Sequence, residues 1–240
     1  MEKNKLYGKK IIFDGDSICW ATSETIATQN RGWAYRVGAK NSVEWYNYAR
    51  DGATVTAEMY SEKTGARHWV SRSIDAIHEK HAELDYLIFE GGTNDADLLG
   101  WEEEKLGTFD IADFSGNYDD TTFTGAMESL LYKAITYYPH ARIGYIVAHR
   151  MGIRPNGYGE KNLRRHYFLR AIDVCKKWGV PYLDLWEKSP LNPMLPVYYN
   201  RELGPAENRS QGYAIIDGQH LSGVGYDMVS PMIEEWIKSL

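Results

Sequence analysis

Five short apolar runs, each separated from the next by a longer amphipathic stretch, constrain this 240-residue chain more than any other feature. The runs are KIIFD (10–14), SVEWYNYA (42–49), DYLIFEGG (85–92), RIGYIVAH (142–149) and VPYLDLW (180–186). They are β-branched or aromatic and most run into turn residues, which predicts strands. Between them lie GWAYRVGAK (32–40), HWVSRSIDAIHEK (68–80), TFTGAMESLLYKAITYY (122–138) and EKNLRRHYFLRAIDVCKKWG (160–179). The last two keep apolar residues three and four apart and end near Gly or Pro, the signature of helices. A closing helical stretch, 223–240, contains Pro231, where an irregularity is expected. Strand and helix alternating in this way predict one α/β domain over residues 1–240. Its parallel sheet of about five strands would be covered on both faces, in three α/β/α layers.

Such sheets bind ligands beyond the carboxyl ends of their strands, so chemistry is sought at the strand exits. The first exit reads DGDS and carries Ser17, the second NYARDGAT with Gly52, and the third GGTND with Asn94. Ahead of the closing helix comes DGQH, with Asp217 and His220. A Gly-Asp-Ser turn is ordinary turn chemistry by itself. Its partners change the reading. A serine hydroxyl needs a base to take its proton, and histidine is the side chain suited to that near neutral pH. The imidazole in turn needs a carboxylate on its other nitrogen, and Asp217 lies three residues before His220. The N–H groups of Ser17 and Gly52 and the Asn94 amide would give a developing oxyanion three donors without adding charge. Asp16 is expected to order its turn through the backbone. Two long irregular stretches, 97–120 and 187–216, read as site walls or lids.

Composition narrows the partners. The formal charge of -6 and the lack of a clustered basic surface argue against nucleic acid. The densest basic run, KNLRRHYFLR, reads as a solvated helix face. The two cysteines, Cys19 and Cys175, are too far apart in sequence for a disulfide scaffold or a cysteine zinc site. Residues 1–10 have charge and no apolar core of a signal, and no run is long enough to span a membrane. Cytoplasmic residence is therefore the default expectation, with export by another route left open. The 8 Trp and 18 Tyr exceed what a core of this size needs, and they fit either a sugar-binding wall or a Tyr-rich surface.

The four blocks FDGDSI, NYARDGAT, GGTND and DGQH stand in the order of the SGNH, or GDSL-type, serine hydrolase family, which the sequence resembles over essentially its whole length. The resemblance implies a flavodoxin-like three-layer fold of about five parallel strands and a serine hydrolase, mostly of esters, that needs no metal or other cofactor. It has two departures. The first block reads GDSI, and the second places Arg50 and Asp51 where many relatives carry small or apolar residues. No Gly-x-Ser-x-Gly occurs, so the nucleophile-elbow type of α/β hydrolase is not the match.

The sequence thus predicts an esterase with Ser17 as nucleophile, His220 as base and Asp217 as its orienting carboxylate, with an oxyanion hole of Ser17, Gly52 and Asn94. The substrate is expected to be a small or carbohydrate ester, with short acyl groups such as acetyl, and neither nucleic acid nor membrane is expected as partner. An acyltransferase, or a sugar-binding protein without turnover, is the alternative. Trp20, His149, Arg154 and Tyr213 are candidate substrate-wall residues from position. The other histidines, including His68 and His81, read as solvated. Asp95 and Asp97 have no third ligand at a matching spacing, so no metal is expected there.

Overall fold

Three of the five strands are buried almost throughout, and this decides the architecture. In the computed structural model, which describes residues 4–21, 32–60, 67–99, 103–152 and 164–240, β1 spans Lys10–Asp14, β2 Glu44–Asn47, β3 Tyr86–Glu90, β4 Arg142–Val147 and β5 Tyr182–Asp184. All neighbours pair in parallel, in the order β2-β1-β3-β4-β5. Continuous apolar strands such as YLIFE need cover on both faces, whereas the edge strand β2 alternates exposed and half-buried residues.

The cover comes from two helical layers. On one face pack α3 (Val70–Lys80), α6 (Phe123–Tyr137) and α7 (Arg164–Trp178), whose Ile74, Leu130, Phe168 and Ala171 join Leu87, Phe89 and Tyr145 in one core. On the other lie α2 (Trp33–Lys40) and α10 (Gly223–Ser239), whose Trp33, Val37, Val229 and Ile233 pack with Ile11, Phe13 and Ile88. Thr122 caps α6 by accepting from the Gly125 N–H at 3.2 Å, and Ser222 caps α10 by accepting from the Gly225 N–H at 3.4 Å. The closing helix runs unbroken through Pro231, where an irregularity was expected.

Short helices occupy what the sequence presents as loops: α1 (Ser17–Trp20), α4 (Thr93–Leu99), α5 (Glu103–Leu106) and α9 (Pro205–Ser210), while α8 (Leu185–Lys188) takes Leu185 and Trp186 from the run expected as the fifth strand. The described residues of the 97–120 stretch, 97–99 and 103–120, are tied to the helices. The Phe109, Phe114 and Tyr118 rings close around the Lys177 ammonium on α7, at 5.8, 5.0 and 5.6 Å. Part of the aromatic surplus is spent there. The described part of KNLRRHYFLR, from Arg164 on, is solvated only in places: His166 and Leu169 are exposed, but Arg164 is 1% exposed, and Arg165 pairs with Asp184 at 2.9 Å and Glu187 at 2.7 Å.

In this strand order, the chain leaves β1 for β2 on one side and for β3 on the other. The crevice at the carboxyl ends of β1 and β3 is the switch point, where open α/β sheets bind ligands.

Candidate active site

Ser17 and Asn94 both lie at that switch point, three residues beyond the end of β1 and four beyond the end of β3. The approach of the two exits is close. A Cβ on Gly15 would sit 2.7 Å from the Glu90 carbonyl oxygen, so only glycine lets the DGDS turn lie against β3. Asp16 then caps α1 by accepting from the Ile18 N–H at 2.9 Å, which puts Ser17 at the first position of the helix.

The Ser17 side chain meets a residue 203 positions away. Its Oγ is 3.0 Å from His220 Nε2, and His220 Nδ1 is 2.9 Å from Asp217 Oδ2. The other oxygen of Asp217 accepts from the backbone N–H groups of Gln219 (3.1 Å) and His220 (2.7 Å), so the carboxylate also ties its own turn. Ser17 retains only 2% of its surface and is recessed at the site.

Gly52 sits at the third position of a turn closed by the Ala53 N–H on the Arg50 carbonyl at 3.2 Å, and its φ of 72° is where glycine is favoured. The Arg50 N–H bonds the Gly15 carbonyl at 3.0 Å, which joins this turn to the serine turn. Asn94 donates from Nδ2 to the Ala53 carbonyl at 2.8 Å. Neither the Ser17 nor the Gly52 N–H has a hydrogen-bond partner among the described residues. The three expected oxyanion donors therefore belong to three segments that are bonded to one another.

Two carboxylates do more than sequence reasoning assigned them. Asp95, weighed there only as a metal ligand, accepts from the Val55 N–H at 3.0 Å and the Thr56 N–H at 2.8 Å and so anchors the segment after Gly52. Burial pushes it up to about 6 despite those donors. Glu90, the last residue of an otherwise apolar strand, lies wholly buried beside Asp16 and accepts from the Asp16 N–H at 3.4 Å. Burial, and then the neighbouring Asp16 charge, raise Glu90 well above the usual carboxylate range; burial raises Asp16 as well. Beneath the serine turn lie two buried carboxyls, both pushed towards their protonated forms by that burial. A carboxylate ending an apolar strand is the signal in the sequence that could have pointed to them.

Of the four wall candidates, Trp20 is 44% exposed one helical turn past Ser17, with the Arg50 guanidinium 4.9 Å from its ring centroid. Tyr213 is half-buried, its N–H on the Asn208 carbonyl at 3.0 Å and its carbonyl accepting from Ser222 Oγ at 2.6 Å. Arg154 lies outside the described residues. His149 is not a wall residue: it is 0% exposed, and its Nε2 donates to the Gln219 carbonyl at 2.8 Å. Burial lowers it to about 4, so it stays neutral at ordinary pH. The strand exit that carries it turns inward beneath the 217–220 turn. Two other histidines are likewise engaged: His68 Nε2 lies 2.9 Å from Asp14 Oδ1, and His81 Nε2 lies 2.8 Å from the Tyr48 hydroxyl. Among the described residues, no three His, Cys, Asp or Glu side chains are grouped to hold a metal ion.

The model of the GDSL-like lipase/acylhydrolase family matches residues 13–228, which include all four blocks. The chain belongs to this family. Comparison with curated proteins gave no match. Among solved structures, the chain is similar to a Lactobacillus plantarum protein (20% identity, 97% of this chain and 98% of the other, TM-score 0.69). It is also similar to a carbohydrate acetylesterase family member from Sinorhizobium meliloti (15% identity, 96% and 98% covered, TM-score 0.63). A third likeness is to the aryl esterase of M. smegmatis (15% identity, 97% and 100% covered, TM-score 0.60). At these identities the likeness is one of fold, and it agrees with the five-stranded parallel sheet of this chain. No helix among its described residues is long and apolar enough to cross a membrane.

Proposed function

We propose that this acylhydrolase is a serine esterase in which Ser17 attacks the ester carbonyl. One observation carries the reading: a single line of hydrogen bonds runs from Ser17 Oγ through both nitrogens of His220 to Asp217, at 3.0 and 2.9 Å. His220 Nε2 takes the hydroxyl proton as the Oγ–carbon bond forms. It returns that proton to the leaving alcohol as the ester C–O bond breaks, and a second cycle with water frees the acid and restores Ser17. Asp217 holds the tautomer that leaves Nε2 free to accept and stabilises the imidazolium. The N–H groups of Ser17 and Gly52, with the Asn94 amide, receive the negative charge on the carbonyl oxygen.

The substrate we propose is a short acyl ester, acetyl above all, of a carbohydrate. The recessed serine supports a small acyl group, and the exposed Trp20 ring beside Ser17 supports a sugar, whose apolar face stacks on indole. The structurally similar protein from Sinorhizobium meliloti is named as a carbohydrate acetylesterase family member, which favours the same class.

The test is hydrolysis of p-nitrophenyl esters from acetate to palmitate by wild type and Ser17→Ala, followed by acetylated sugars. Acetate is expected to be cleaved best, and the alanine variant to lose a factor of about 10³ or more. Faster cleavage of long-chain esters would sink the acyl assignment. Equal inertness of both proteins would sink the esterase and leave sugar binding as the reading to pursue.

A further inference from the structure

The turn that carries the proposed base is held by a charged assembly that lies entirely behind it. Gln219, between Asp217 and His220, is 1% exposed. Its side-chain Oε1 accepts from Arg164 Nη2 at 3.1 Å, and its backbone carbonyl accepts from His149 Nε2 at 2.8 Å. The same Arg164 nitrogen donates to Asp97 Oδ2 at 2.9 Å, and Nη1 donates to the Gly152 carbonyl at 3.1 Å. Gly152 returns its own N–H to the Gly218 carbonyl at 2.8 Å. Three elements thus converge on two residues of the turn: α4 through Asp97, the exit of β4 through His149 and Gly152, and α7 through Arg164.

We infer that Gln219, gripped by the Arg164–Asp97 pair and by His149, is a positioning residue that fixes His220 at its distance from Ser17. This inference rests on the proposed roles of Ser17 and His220. The physical reason is the number of constraints. The carbonyls of Gly218 and Gln219 are both taken, so neither peptide can rotate without breaking a buried hydrogen bond. The planar guanidinium forks to Gln219, Asp97 and Gly152 from one rigid group, a reach that the point charge of lysine cannot match. Among the described residues, the His220 ring bonds Asp217 of its own turn and Ser17, and its backbone bonds Asp217 and Ile216, so the direction of the ring follows the direction of the turn. A displaced ring costs rate without costing affinity, because the ester is bound by other groups.

The experiment compares wild type, Gln219→Met, Gln219→Glu and Ser17→Ala on p-nitrophenyl acetate. Active sites are counted by titration with a serine-reactive phosphonate, so that only folded sites enter kcat. Gln219→Met keeps the volume and removes the acceptor. It is expected to lower kcat per titrated site by about 30-fold with KM within about twofold. Gln219→Glu keeps an oxygen for Arg164 and is expected to recover kcat to within about threefold of wild type. A purely structural role would lower the number of titratable sites and leave kcat per site alone, and that result would overturn the inference. So would equal losses in the Met and Glu variants. If Gln219→Met yields too few sites to titrate, Asp97→Asn, which loosens Arg164 from the other side, is read in the same way. Undiminished activity of Ser17→Ala would instead remove the esterase reading on which the inference stands, so the two failures are told apart.

Discussion

Helix α7 carries one buried cation near each end, and the two are built to opposite purposes. Arg164 opens the helix at the site, and Lys177 stands next to its last residue at the far end of the sheet. Each side chain is 1% exposed and each faces a buried carboxylate, Asp97 at 2.9 Å and Glu128 at 2.7 Å. Lys177 gives its charge to Glu128 and to a closed ring of aromatic faces, those of Phe109, Phe114, Tyr118 and Trp178. Glu128 also accepts from the Trp178 indole, so the cluster closes on itself and straps the 107–120 loop to the helices. Arg164 does the reverse and distributes its donors over chain segments that carry the proposed site. Burial and charge are the same at both ends; connectivity separates a fastening from a positioning device.

The largest effect is expected where this contrast is broken outright. Lys177→Met strands the Glu128 carboxylate and should cost about 3–5 kcal/mol in urea unfolding, with kcat per active site unchanged. Adding Glu128→Leu should return most of that stability, since apolar replacement of a whole buried pair is often neutral and the half-buried Trp178 can turn its N–H to water. Arg164→Met should cost a similar amount and lower kcat too. Its double variant with Asp97→Leu should not recover turnover, because Gln219 and the Gly152 carbonyl still lack their donors. Full recovery in both doubles would erase the distinction.

The next effect belongs to the site end alone and is read with pH. His149 takes up a proton near 6.5 when unfolded and only near 4 in the fold. Its contribution is therefore fully present above about 6.5 and drains away as pH falls towards 4, by about 3 kcal/mol in all. His149→Gln keeps an N–H for Gln219 but cannot take the proton. It should flatten the stability profile between about pH 6.5 and 4. An unchanged slope would remove His149 as its source.

The smallest effect tests a second cation and ring. Arg50 lies over Trp20 as Lys177 lies among its aromatics, but in solvent. Arg50→Gln should therefore shift unfolding by about 0.5 kcal/mol, the worth of an exposed pair. A loss as large as that of Lys177→Met would mean that the rim is as tightly built as the strap.

The same contrast shows where a sequence can be read. The strand KIIFD was legible to the residue, because a run buried on both faces has no ambiguity of side. The edge strands, the second and fifth, keep half or less of their apolar runs while the central third and fourth keep more, because an edge strand has a neighbour on one side only. Ser17, Gly52, Asn94, Asp217 and His220 could be placed at one end of the sheet because strand exits converge there whatever the helices do. The direction in which a side chain turns could not. His149 and Arg164 have the composition of surface residues, and only the packing of α4 and α7 against the β4 exit decides that they face inward. Asp95 was hidden for the same reason, since its partners are backbone N–H groups that no sequence pattern displays.

The partners in the serine–histidine contact are 203 residues apart, and the Tyr226 hydroxyl of the last helix reaches back to the Ile18 carbonyl across 208. Such contacts form only after the chain between them has found its order, since loop closure precedes any gain from joining distant segments. A chain still emerging from a ribosome has the serine turn early but no base to arm it. The chemistry proposed for Ser17 thus depends on the whole span from the serine turn to α10 being folded, and no local piece of the chain carries it.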